Sequence, residues 1–212
     1  MALPTDDLFV NQWHLKNTGQ FGATAGMDIN VEGAWDVATG AGVSVGVYDS
    51  GIQYTHHDLN DNYDATLSVI IDGLAHNPYP DTSNSDNTHG TSVAGLIAAE
   101  ANGEGTVGVA YGAKLTGVDI FALSNNQFLQ SLQQMTNFDV TNHSYGYTTP
   151  YSVNRLNGGY FADFVATFKH AADAGREGLG SITVHSGGND RTNQGNSGCA
   201  RDANDDNFTD SR

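Results

Sequence analysis

Three predicted strands in this sequence stop on a polar residue beside a glycine, and helical stretches fall between them. Val43-Ser44-Val45-Gly46-Val47-Tyr48 alternates valine and ends in Asp49-Ser50-Gly51. Phe138 to Asn142 enters Ser144-Tyr145-Gly146, and Ser181 to His185 enters Ser186-Gly187-Gly188-Asn189. A further strand is predicted from Lys114 to Phe121. Between them a helix is predicted from Thr88-His89-Gly90-Thr91, with Val93, Leu96, Ile97 and Ala101 at helical spacing and Asn102-Gly103 as its stop. A second helix fits Asn126 to about Met135, and a third carries Tyr160, Phe161, Phe164, Val165 and Phe168 and ends at Gly175. Alternating strands and helices predict an α/β fold with a mainly parallel sheet. Ligands of such sheets gather at the carboxyl ends of the strands, where Asp49, Ser144 and Asn189 stand.

Composition narrows the function classes. The 212 residues fit one domain or part of one, and 38% are hydrophobic, enough for a core. The net charge of −16 disfavours nucleic acid and anionic membranes and suits cations or basic peptides. Apolar runs are far shorter than the ~20 residues of a membrane helix. The single Cys199 excludes an intrachain disulfide. The start, Met1-Ala2-Leu3-Pro4-Thr5-Asp6, has neither the basic region nor the apolar run of a signal peptide.

A strand-end acid and a helix-start histidine are two thirds of an acid–His–nucleophile relay. The acid orients the imidazole, which takes the nucleophile's proton and returns it to the leaving group. An asparagine at another strand end suits an oxyanion donor, worth about 3–4 kcal/mol in the transition state.

Val47-Tyr48-Asp49-Ser50-Gly51-Ile52 with His57-Asp58-Leu59 resembles the Asp motif of subtilisin-like serine proteases. Asn87-Thr88-His89-Gly90-Thr91-Ser92-Val93-Ala94-Gly95 resembles their His motif, and Ser186-Gly187-Gly188-Asn189 the oxyanion-Asn segment. Thr5 to Phe9, Gln12-Trp13-His14-Leu15, Asp28 to Val31 with Ala34-Trp35, Val107 to Tyr111 and Gly178 to Ile182 resemble the kexin/furin branch. The resemblance implies a subtilisin-like fold in which Asp49 orients the base, His89 is the base and Asn189 the oxyanion donor. Ser144-Tyr145-Gly146 would pair with the substrate backbone as an added strand. Asp206, with Asp205 beside it, would read a basic P1 residue, and Asp86 a basic P2; Ser50 replaces a second acid of furin-like members. A propeptide or protein inhibitor would be a further partner. The family's structural calcium site maps onto the side chains of Asp6, Asp58 and Asn102, with carbonyls near Glu100, Glu104 and Thr106. Its second calcium site lacks acids here, where Tyr147-Thr148-Thr149 stands.

The family's nucleophile motif, Gly-Thr-Ser-x-Ala-x-Pro, does not occur in these residues; Gly90-Thr91-Ser92 belongs to the His motif. Residues 1–212 therefore read as a partial peptidase domain, its N-terminal two thirds, inactive alone and incomplete at its C-terminus. Arg212 would suit a self-cleavage or tryptic end. Secretion is implied, with signal and propeptide removed.

Other patterns carry less. Asp202, Asn204 and Asp206 match positions 1, 3 and 5 of an EF-hand loop, but Asn207 stands where glycine is wanted. Eight histidines raise a zinc reading, but His56-His57, read as strand neighbours, point to opposite faces, and no His-Glu-x-x-His or Cys pair occurs, so they read as packing or surface residues. The Phe161 to Phe168 stripe is core. Cys199 lacks a motif pairing it with His89. The rival classes are a non-catalytic protease relative or a calcium-held module binding basic peptides, and a two-carboxylate glycosidase, for which no acid pair stands out.

Overall fold

The structure is a computed structural model that describes residues 3–81, 83, 85–146 and 159–187, the side chains of residues 85, 86, 160 and 161 excepted. Its contacts divide the chain into two units, residues 1–69 with 75–121 and residues 70–74 with 122–212.

The first unit is built on a parallel strand pair. β1 (Ser44–Asp49) pairs with β4 (Lys114–Asp119), in register from Ser44↔Lys114 to Asp49↔Asp119. Both strands are buried beyond their first residue. Burial on both faces places Val45, Val47, Tyr48, Leu115 and Val118 in the core together with the polar Thr116. Helix α1 (Glu32–Trp35) and α2 (His89–Ala98) belong to the same unit. The buried face of α2 is Gly90, Ala94 and Ala98, residues four apart that let the helix approach the strands closely. Leu96 is exposed and the helix stops at Ala98, where Ala99 turns extended. The Val93/Leu96/Ile97/Ala101 stripe is thus not the packed face. A separate cluster joins Phe9, Leu15, Val31, Trp35 and Val107. Trp35 packs edge-on to Tyr111 at 5.5 Å, and its indole N–H donates to Val109 O at 2.8 Å. Gln12 clamps Val107, donating to its carbonyl and accepting from its N–H at 2.8 and 2.9 Å.

The second unit holds the other parallel pair, β5 (Val140–His143) and β6 (Ile182–His185), in register from Val140↔Ile182 to His143↔His185. Helix α3 (Asn125–Leu132) opens on a reciprocal Ser124/Gln127 cap, which satisfies two free backbone donors. The short strands β2 (Ile70–Ile71) and β3 (Leu74–Ala75) flank an Asp72-Gly73 turn with both φ positive, 51° and 80°, the hairpin chemistry of Asp-Gly. Gln127 and Gln130 donate to the Asp72 carboxylate. Helix α4 (Tyr160–Gly178) breaks at Gly175, where the stripe predicts, and Arg176 and Glu177 take positive φ. No described helix is long and apolar enough to cross a membrane.

His143 is fully buried on β5. Its ring stacks on His185 at 4.9 Å, and its nitrogens meet Tyr145 OH at 2.9 Å and Thr141 Oγ1 at 3.0 Å. Burial first, and His185 second, hold it well below the ordinary 6.5. The unfolded chain, with the ordinary value, therefore takes up this proton first as pH falls. Stability contributed by neutral His143 is complete above 6.5 and is lost as pH drops below it. Urea unfolding at pH 7 and pH 5 checks this: His143→Gln is less stable at pH 7 and loses less on acidification than the unsubstituted chain.

Candidate functional site

β1 delivers Asp49 to its carboxyl end, and α2 begins at His89 directly above it. His89 Nδ1 lies 2.7 Å from Asp49 Oδ1. An ionised carboxylate only accepts, so the Nδ1–H donates and the Nε2 lone pair is left as the base. Asp49 is 1% exposed, whereas the His89 side chain is 57% exposed. The acid is sheltered and the imidazole open to a reactant.

The approach depends on two glycines. A Cβ on Gly90 would run into the Gly51 carbonyl and reach Asp49 Cβ at 3.0 Å. Gly51 itself takes φ +85°, and a Cβ there would lie 2.5 Å from Pro78 O. The buried Ser50 completes the join. Its hydroxyl donates to Asn87 O at 3.2 Å and accepts from Gly90 N–H at 3.1 Å, while Ser50 N–H donates to Asp49 Oδ1 at 2.7 Å. Gln53 N–H donates to Thr91 Oγ1 at 2.9 Å. Sequence reasoning treated Ser50 only as a missing acid; its hydroxyl is the pin between strand end and helix start. A small hydroxyl residue between a strand-end acid and glycine was the available signal.

Asp6, Asp58, Asn102 and Thr106 come together on the loop of residues 102–106. Asp6 Oδ1 accepts from Asn102 and Gly103 N–H, both at 3.1 Å. Asp58 Oδ2 accepts from Thr106 N–H at 3.0 Å and Thr106 Oγ1 at 3.1 Å. Both acids are buried, yet Asp6 Oδ2 and Asp58 Oδ1 have no hydrogen-bond partner. A Cβ on Gly105 would collide with the Asp58 carboxylate. Asn102 Nδ2 donates to His57 O, and its Oδ1 accepts from Glu104 N–H at 2.9 Å. The Glu100 carboxylate faces elsewhere, accepting from Asp61 N–H at 2.7 Å.

In the second unit, Ser144-Tyr145-Gly146 directly follows β5. Asn142 Nδ2 donates to Ser144 Oγ at 2.9 Å, and the Tyr145 ring packs on Phe128 at 5.8 Å. Asp86 lies on the 3-10 turn Ser85–Thr88 ahead of α2. Asn189, Cys199 and the Asp202 to Asp206 run lie outside the described residues. At the end of β4, His76 Nε2 accepts from Asp119 N–H at 3.2 Å, and burial lowers its pKa against the pull of Asp119. No local pattern signals this contact, which joins residues 43 apart.

An α/β fold with a strand-end Asp bonded to a helix-start His is the arrangement of a subtilisin-like hydrolase. The subtilase family model matches residues 40–207, and the chain belongs to that family. A PC3-like endoprotease of Hydra vulgaris is 44% identical over 119 residues, 55% of this chain and 17% of that protein. Neuroendocrine convertase 2 of Caenorhabditis elegans is 34% identical over 189 residues, 87% of this chain and 29% of that protein. These relatives bear out the resemblance to the kexin/furin branch. The crystal structure of a serine protease of Aeromonas sobria superposes with a TM-score of 0.75 at 29% identity, covering 90% of this chain and 33% of that one. The chain thus spans a third or less of each of these three proteins.

Replacing Ser50 by Ala leaves the buried Gly90 N–H without its partner. We expect Ser50→Ala to lower the unfolding free energy by about 1–3 kcal/mol, measured by urea denaturation.

Proposed function

We propose that this chain is the Asp–His portion of a serine endopeptidase that cuts after basic residues. The 2.7 Å Asp49–His89 bond, buried on the acid side and open on the imidazole side, carries the proposal. In this reading Asp49 fixes the tautomer and stabilises the imidazolium, and His89 Nε2 takes the proton of a serine hydroxyl and passes it to the leaving amine. Asn189 donates to the oxyanion. That serine belongs to a Gly-Thr-Ser-x-Ala-x-Pro motif, absent from these 212 residues, so residues 1–212 alone are inactive. The Ser92 hydroxyl does not substitute: it donates to Thr88 O at 3.2 Å within α2.

Substrate choice in this reading rests on carboxylates. Asp206 pairs with a P1 Arg or Lys in a charge-assisted bond, Asp86 favours a basic P2 residue, and Ser144-Tyr145-Gly146 holds the substrate backbone as an added strand. The net charge of −16 favours approach of basic peptides. A propeptide or protein inhibitor would occupy the same strand-adding segment.

The residues around loop 102–106 fit a calcium ion. Two buried carboxylate oxygens without partners, Asp6 Oδ2 and Asp58 Oδ1, are costly unless a cation meets them. Asp6, Asp58 and the Asn102 side chain, with carbonyls near Glu100, Glu104 and Thr106, supply the hard oxygens Ca²⁺ prefers. When bound, the ion neutralises the buried acids and ties residues 6 and 58 to one loop. Such a site suits the calcium-rich secretory or extracellular setting proposed for the protein.

Two measurements test these readings. The open reading frame containing these residues, expressed through to its stop codon, should cleave P1 Arg peptides at least about a hundredfold faster than P1 Leu peptides. His89→Ala should reduce kcat about a millionfold. Equal cleavage of both peptides overturns the specificity, and activity surviving His89→Ala overturns the mechanism. Calcium at a hundred times its Kd should raise Tm by about 5–10 °C; chelation or Asp6→Asn should abolish the rise.

A further inference from the structure

The turn that follows the catalytic strand holds a second donor set. His56 and His57 do not point apart, as strand neighbours would. They lie in a turn, and their rings stack at 4.4 Å with planes 24° apart. A nitrogen of each ring and an oxygen of Asp58 lie within 4.8 Å of one another. Asp58 is 5% exposed, and its Oδ1, which has no hydrogen bond, stands 3.4 Å from His57 Nε2. His56 Nδ1 accepts from Asp58 N–H at 3.1 Å. That bond holds His56 in the Nε2–H tautomer, which ligates through Nδ1.

We propose that His56, His57 and Asp58 bind a borderline divalent cation, Zn²⁺ above all. Two imidazoles and a carboxylate are a common zinc donor set, and calcium does not favour nitrogen. Bonds of 2.0–2.2 Å in a tetrahedron separate the ligand atoms by about 3.3 Å. The His57–Asp58 pair already matches, and rotation of the exposed His57 ring closes the rest. The ion displaces one hydrogen bond, from Asp58 N–H to His56 Nδ1. These residues line a groove of about 920 Å³ shared with Ser92, Leu96 and Glu104, so water can take the fourth position. The groove wall includes α2, the helix that starts at His89.

Asp58 Oδ1 also serves the calcium reading, so the two ions compete for that oxygen; the sites are told apart by their other ligands, Asp6 for calcium and His57 for zinc. The test is calorimetric titration of the full chain with Zn²⁺ alone, in the unsubstituted protein and in His57→Gln, Asp6→Asn and His89→Gln. His57 is exposed, so His57→Gln folds; a urea-unfolding transition as cooperative as that of the unsubstituted protein verifies this. We expect one Zn²⁺ per chain, bound at least tenfold more weakly by His57→Gln and unchanged in affinity by Asp6→Asn and His89→Gln. Failure of the unsubstituted chain to bind Zn²⁺, undiminished binding by His57→Gln, or loss with His89→Gln overturns the proposal. Loss of the calcium response alone, in any variant, bears on the calcium reading and not on this one.

Discussion

The contact of Gly90 with the Asp49–Gly51 segment is what the candidate site depends on. A helix start can lie on a strand end only where neither carries a side chain at the crossing. Gly90 meets the Gly51 carbonyl there, and any Cβ would push α2 away. The 2.7 Å His89–Asp49 bond tolerates little such movement. Ser50 then turns proximity into attachment, because its hydroxyl both donates to Asn87 O and accepts from Gly90 N–H. Strand β4 contributes from below. Its register with β1 holds Asp49 level with Asp119, so the acid rests on a buried parallel pair and not on a free loop.

The parts of the fold legible in the sequence were those whose signal is local. β1, β4, β5 and β6 are short stretches carrying Val, Ile, Leu or Thr that end on polar residues. The α3 start is written in Ser124 and Gln127, and the α4 break in Gly175. Helix α2 was found but its packed face was misjudged, because close approach selected glycine and alanine over the larger Val93, Leu96 and Ile97. The layer of Phe9, Leu15, Val31 and Trp35 was seen only as motif residues. Its partners Val107 and Val109 lie more than 70 residues from Trp35, and no periodicity reports such a distance.

The site divides in the same way. Asp49 and His89 were readable as strand-end and helix-start residues before any family resemblance, and the structure joins them. Asp6 and Asp58 were not: nothing local marks two acids 52 positions apart as sharing one loop, and only the resemblance did. Their convergence on residues 102–106 is a tertiary fact, made by backbone N–H groups that any sequence offers. The opposite-face reading of His56-His57 fails for a simple reason. A period of two applies to strands, and these residues occupy a turn, where neighbouring rings can stack.

Asp58 shows why the turn after β1 has so little freedom. Its N–H goes to His56, its carbonyl accepts from Glu100 N–H, and its Oδ2 accepts from Thr106. One residue thus joins the turn, the end of α2 and the loop that follows. Only Oδ1 is left over, buried and facing His57 at 3.4 Å. A buried carboxylate oxygen in that position costs stability unless a positive charge reaches it. A protonated His57 or a bound cation can supply that charge. The His57 ion pair is more than half exposed on the imidazole side, which screens it and limits its worth. A cation held by several donors loses less to solvent, and that difference is the physical ground on which the proposed ions at Oδ1 rest.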